Sequence, residues 1–164
     1  DTNCIERPMA RKGVKVFLDS NVILSGLISE KGAPRIILDV ATLRLPFLVC
    51  STGRYNLMEI ERNLRKKMPR ALPVYRRYLP RLNMEIIPLP RSGEIKQFPG
   101  RVADKDVPVI ISAIRSKADF LVTNDRQHFA KSKTANKYPL KIVTPAEFID
   151  IFLPEILRNL DRIE

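Results

Sequence analysis

Short apolar runs alternate with amphipathic stretches along this chain, and that alternation permits few folds. Val14-Lys15-Val16-Phe17-Leu18 is apolar and β-branched, and Asp19-Ser20-Asn21 stops it abruptly. Ser and Asn are helix-capping types, and Val22–Ile28 continues without a breaker until Gly26, so a strand turns directly into a helix. Gly32-Ala33-Pro34 restarts a helix carrying Ile36, Ile37, Val40 and Leu43. Pro46–Cys50 reads as a second strand, Ser51-Thr52 as a capping pair, and Leu57, Ile60 and Leu64 as one face of the next helix. Met84–Ile87 is a third strand, and Asp106 with Pro108 opens a helix bearing Val109, Ile110, Ala113 and Ile114. Phe120–Thr123 and Lys141–Val143 are the fourth and fifth strands, and Pro145 opens a last helix along Phe148, Ile149 and Phe152. Such alternation predicts a single α/β unit, a mostly parallel five-stranded sheet covered on both faces in three layers. The one long irregular connection is 88–100. The expected organisation is an N-terminal extension or tag remnant over 1–12, a catalytic-type domain over 13–153 and a tail over 154–164.

Charge narrows the partners. Lys and Arg number 29 against 18 Asp and Glu, a net charge of +11 and a pI near 10.0 across 164 residues. A polyanion is the expected partner, nucleic acid before an anionic membrane. Two cysteines, Cys4 and Cys50, rule out a disulfide scaffold and suit a reducing, cytoplasmic setting. A single histidine, His128, excludes sites built from several imidazoles. No apolar run reaches the roughly 18 residues of a membrane span.

Acidic residues fall at strand ends and first helical turns. Asp19 follows the first strand and Asp125 the fourth, Asp106 begins a helix with Asp104 just before it, and Glu59 lies early in the helix after the second strand. In open α/β sheets, sites form outside the carboxyl ends of the strands. Four carboxylates gathered there repel one another unless a cation neutralises them. Without a His or Cys cluster, the matching cation is a hard one, Mg²⁺ or Mn²⁺, able to activate water and offset phosphoryl charge. Each residue also has an ordinary structural role open to it. Asp106 suits a helix cap, Asp19 and Asp125 suit turns, and Glu59 suits an exposed helix face.

Taken together, these segments resemble the PIN domain family, and within it the VapC-like toxin ribonucleases of type II toxin–antitoxin systems. Val16-Phe17-Leu18-Asp19-Ser20-Asn21-Val22 is similar to the opening motif, Leu57-Met58-Glu59-Ile60 to the second, and Ala118–Asp125 to the fourth. Asp106 stands seven residues before Ala113, as the third acidic residue does before its small helix residue, and 141–148 resembles the closing strand and helix. Asn124 stands where Gly is frequent, and Asp104-Lys105-Asp106 offers two candidates for the third ligand, of which Asp106 is favoured. The resemblance implies a metal-dependent endoribonuclease. Asp19, Glu59, Asp106 and Asp125 would hold Mg²⁺ or Mn²⁺, with Asp104 as a further candidate, and Ser20, Asn21 and Thr123 would support them. It also implies an antitoxin partner and leaves room for a homodimer. Helix capping is an equally open role for Asn21.

One basic stretch suits an RNA backbone. Arg62, Arg65, Lys66, Lys67, Arg70, Arg76, Arg77 and Arg81 are opposed only by Glu61, with Tyr75 and Tyr78 interleaved as stacking surfaces. A solvated helix face is the plainer account of the same charges. Two rival functions stand beside the ribonuclease. A phosphatase of the haloacid-dehalogenase type needs a second Asp two residues after Asp19, where this chain has Asn21. A non-catalytic RNA-binding or scaffold protein of the same fold is the other. A dinucleotide-binding domain fails because no G-x-G-x-x-G follows any strand.

Overall fold

The structure, a computed structural model, describes residues 13–98, 105–130 and 140–160. The expected extension over 1–12, Asp104 and the end of the tail therefore lie outside the described residues. Strands β1 (Val14–Leu18), β2 (Leu48–Gly53), β3 (Glu85–Ile87), β4 (Phe120–Val122) and β5 (Lys141–Val143) form one sheet in the order β3-β2-β1-β4-β5. Every pairing is parallel, with Val16 beside Cys50 on one side and Phe120 on the other. Between them run α1 (Ser20–Ile28), α2 (Ala33–Thr42), α3 (Arg54–Lys67), α4 (Ala71–Tyr78), α5 (Ser92–Lys96), α6 (Val107–Arg115), α7 (Arg126–Ala130) and α8 (Pro145–Leu160), with a 3₁₀ turn over Leu79–Leu82. The chain passes from β1 out to β3 and returns to β4 on the other side of β1. Its topological switch point therefore lies at the ends of β1 and β4.

The two-residue alternation of β1 explains the layers. Val16 and Leu18 face one core with Val22 and Ile23 of α1, Ile37 and Leu38 of α2, Ile60 and Leu64 of α3, and Phe148 and Phe152 of α8. Phe17 faces the other, with Leu121 and with Val109, Ile110 and Ala113 of α6. Phe152 stacks on Phe148 at 5.2 Å and meets Phe47 at 6.2 Å, which pins α8 across the first core. At the opposite end of β1, Gly13 adopts φ +66, and a Cβ there would collide with the backbone of Phe47.

Several boundaries differ from the sequence reading. Ser51 and Thr52 are strand residues, because their hydroxyls donate to the carbonyls of Val16 and Leu18, at 3.3 and 2.8 Å, and tie β2 to β1. Gly53 is the N-cap of α3 instead. Asp19, rather than Ser20 or Asn21, caps α1, its side chain accepting from the Ser20 N–H. The connection after β3 contains the short helix α5, begun by the Glu94 carboxylate accepting from the Arg91 N–H at 3.1 Å.

Candidate active site

Asp19 leaves the end of β1 and is held on both oxygens. Its Oδ1 accepts from the Ser20 N–H at 2.8 Å and the Asn56 Nδ2 at 3.2 Å, and its Oδ2 accepts from the Thr123 hydroxyl at 2.8 Å. Only 7% of Asp19 is exposed. Burial pushes its carboxyl up to about 6, the negative charges of Glu59 and Asp106 push the same way, and the bonds from Thr123 and Ser20 pull it down. Glu59, half-buried on α3, accepts from the Ser20 hydroxyl at 2.9 Å. Desolvation raises its carboxyl as well, the Ser20 bond and Arg62 lower it, Asp106 raises it, and Lys105 lowers it. Asp106 is buried at the N-cap of α6, with αR backbone and no capping bond from its own side chain. Asp19, Glu59 and Asp106 thus share one electrostatic environment at the carboxyl edge of the sheet.

Asp125 is placed differently. It is exposed just after β4, and the Asn21 Nδ2 donates to its Oδ2 at 3.1 Å. Its N–H donates to the Thr123 hydroxyl at 3.1 Å, the same hydroxyl that donates to Asp19. Asn21 is therefore no cap, since it spans α1 and the turn after β4. Asn124 fixes it there: the Asn124 N–H donates to the Asn21 Oδ1 at 3.2 Å, and its Nδ2 to the Asn21 carbonyl and the Ser25 hydroxyl at 3.3 and 3.2 Å. The Asn that replaces the expected Gly thus clamps the turn to α1.

Ser20 links Asp19 to Glu59 and Thr123 links Asp19 to Asp125, so protein donors engage both oxygens of Asp19 and one oxygen each of Glu59 and Asp125. Among the described residues, no group of three or more His, Cys, Asp or Glu is gathered into metal-holding geometry. The donor set still fits a hard cation: it is all oxygen, carries excess negative charge, and sits where that charge is costly.

Cations flank the cluster. Tyr55, Glu59, Arg62 and Lys66 fall on one stripe of α3 at spacings of four, three and four, and Lys66 lies about 10 Å along the axis from Glu59. The phenol of Tyr55, partly buried against the second core, is raised by its own desolvation and then by Glu59, Arg62 pulls the other way, and Asp106 and Asp19 add to the rise. Arg65 and Lys67 lie to either side of the stripe, and Arg76 pairs with Glu61 at 3.2 Å on the far face of α3. Tyr75 is only 3% exposed and packs in the core, so it offers no stacking surface, and Arg81 lies 5.6 Å over the ring of Tyr78. Composition drew attention to those two tyrosines because they are interleaved with Arg, although one of them belongs to the apolar face of α4.

Two site residues escaped the sequence reading, Tyr55 and Asn56. Asn56 is fully buried at helical spacing with Ile60 and Leu64. An amide in an otherwise apolar stripe was the signal that could have found it.

Residues 15–127, more than half of the chain, match the PIN domain. No curated protein sequence matches the chain. Among solved structures, similarity is seen to DNA-bound VapBC from Salmonella typhimurium, at 20% identity and TM-score 0.56 over 80% of this chain and 98% of that one. FitAcB from Neisseria gonorrhoeae is similar at 16% identity and TM-score 0.55, over 79% and 97% of the two chains. VapBC2 from Rickettsia felis, bound to a DNA fragment from its promoter, is similar at 15% and TM-score 0.52, over 79% and 98%. With its match to the family and its all-parallel sheet carrying acidic residues at the switch point, this chain belongs to the PIN domain family.

Proposed function

We propose that the protein is a metal-dependent endoribonuclease that hydrolyses RNA phosphodiester bonds, and that it is the toxin of a toxin–antitoxin pair. The observation that carries this reading is the placement of buried Asp19 and half-buried Glu59, joined by Ser20, close to buried Asp106 and beside a turn that presents Asp125. Carboxylates taken out of water without a countercharge, as burial raises Asp19 and Glu59 here, are poor at stabilising a fold and well suited to a cation. Asp19, Glu59, Asp106 and Asp125 would hold Mg²⁺ or Mn²⁺, with Asp104 an alternative to Asp106. When bound, such an ion lowers the pKa of water and offsets charge on a phosphoryl group. The chain itself supplies the rest. Ser20 and Thr123 orient the carboxylates, and Asn21 sets the exposed Asp125. Arg62 and Lys105 beside the cluster and Lys66 further along the same stripe meet the RNA backbone, whereas Arg65, Lys67, Arg76 and Arg77 add only to the overall positive field.

The VapBC and FitAcB complexes support an antitoxin as protein partner. A cytoplasmic location, a homodimer and a catalytic unit spanning 13–153 belong to the same proposal. No helix among the described residues is long and apolar enough to cross a membrane. A non-catalytic scaffold is the second reading, favoured by the absence of a gathered three-carboxylate group among the described residues. Purified protein should cut a mixed RNA substrate with Mg²⁺ or Mn²⁺, stop on chelation and resume when the ion is returned. Cleavage that persists under chelation would overturn the metal dependence, and RNA binding without cleavage would favour the scaffold.

A further inference from the structure

We propose that Asn56 is a positioning residue that sets Asp19 directly and Glu59 through Ser20. This rests on the reading of the carboxylate cluster as a metal site. Asn56 lies in the first turn of α3 and has no solvent exposure. Its Oδ1 accepts from the Gly53 N–H at 3.3 Å, and that donor fixes which way the amide faces. The Nδ2 must then point the other way, and it donates to Asp19 Oδ1 at 3.2 Å and to the Ser20 hydroxyl at 2.9 Å. Ser20 spends its own proton on Glu59 Oε1 at 2.9 Å. The Asn56 backbone carbonyl is a second acceptor for that proton at 3.4 Å, and the bond from Asn56 Nδ2 into the hydroxyl oxygen fixes the Ser20 rotamer that favours the shorter bond to Glu59. One amide therefore orders a chain of donors from the end of β2 to two carboxylates on different elements.

The surroundings are shaped for this amide. A Cβ on Gly53 would stand 2.8 Å from Asn56 Oδ1 and 3.0 Å from the Ser112 hydroxyl, so no other residue fits at position 53 without displacing it. The two amide protons and the carbonyl oxygen all have partners, the condition under which a buried polar side chain fixes a geometry. Residues that orient ligating carboxylates typically change metal affinity 10–100-fold when removed.

Mn²⁺ binding in the absence of RNA tests this, with the loss of the free-ion EPR signal as readout, on wild type, Asn56→Ala, Ser20→Ala and the double variant. Asn56→Ala should bind Mn²⁺ about 10–100-fold more weakly, with its slowed RNA cleavage rescued by raising Mn²⁺. Ser20→Ala should weaken binding by a smaller factor. The double variant should fall short of the product of the two losses, because one path is shared. Unchanged Mn²⁺ affinity in Asn56→Ala, alongside a lower melting temperature in EDTA, would overturn the proposal and leave Asn56 a structural residue. Should Asn56→Ala fail to fold, Ser20→Ala decides: unchanged affinity there overturns the relay to Glu59. A wild-type protein that binds no Mn²⁺ would overturn the metal-site reading itself, and this inference with it.

Discussion

Asp19→Asn should make the metal-free protein more stable, and the size of the effect follows from the burial of Asp19. Its carboxyl titrates near 3.8 in an unfolded chain and at about 6 in the fold. The folded state therefore prefers the protonated form, and Asp19 contributes most below about pH 3.8. That contribution is lost as pH rises through about 6. Across this interval the loss is about 3 kcal/mol, with the opposing bonds from Thr123 and Ser20 already included. Asn keeps the shape and removes the charge, with its Nδ2 turned to Thr123, whose hydroxyl then accepts where it donated to Asp19. For a chain of this size about 3 kcal/mol corresponds to roughly 6–12 °C in melting temperature. Thermal melts in EDTA at pH 8 should show Asp19→Asn higher by that range, and the gap should close towards pH 4. A divalent cation should reverse the order at about one thousand times its dissociation constant, because it stabilises only the charged site, there by about 4.1 kcal/mol. A variant that is less stable than wild type at pH 8, with a gap independent of pH and of Mn²⁺, would refute the reasoning.

Other substitutions test the remaining parts. Arg62→Ala with Lys66→Ala, in an Asp19→Asn background, should reduce the slope of log RNA affinity against log salt by about 1.4, at about 0.7 per lost phosphate contact, equally for unrelated RNAs. The triple change of Arg65, Lys66 and Lys67 should reduce it by about 0.7, since only Lys66 lies on the stripe beside Glu59. Gly53→Ala should cost about 1–3 kcal/mol in denaturant unfolding, because its Cβ would press on Asn56 and Ser112. Phe152→Ala should cost about 3–5 kcal/mol, since that ring is 1% exposed and stacks on Phe148.

The sheet was legible because parallel strands buried on both faces are short, apolar and bounded by polar stops. Val14–Leu18 with Asp19 is such a unit, and the same residues form β1. What sequence could not give was the direction of individual polar groups. Ser51 and Thr52 look like a capping pair in one dimension, yet their hydroxyls serve the neighbouring strand. Asn21 looks like a cap and instead reaches Asp125, whose position depends on a pairing 104 residues away. The acidic positions could be named from spacing and resemblance, whereas the donors that orient them depend on how α1, α3 and β4 meet. Asn56 shows this best, since its role exists only once α3 lies against the end of β1.

The central claim is that the carboxylate cluster cleaves RNA with a bound cation. Its most direct test is the single-turnover cleavage rate of an end-labelled RNA with saturating Mg²⁺, for wild type and for Asp19→Asn, Glu59→Gln, Asp106→Asn and Asp125→Asn, each shown to be folded. Each amide should slow cleavage at least about 100-fold while leaving RNA affinity in EDTA within about twofold, because transition-state charge stabilisation is lost and phosphate contacts are kept. Wild-type rates in Asp19→Asn or Asp106→Asn would contradict the account.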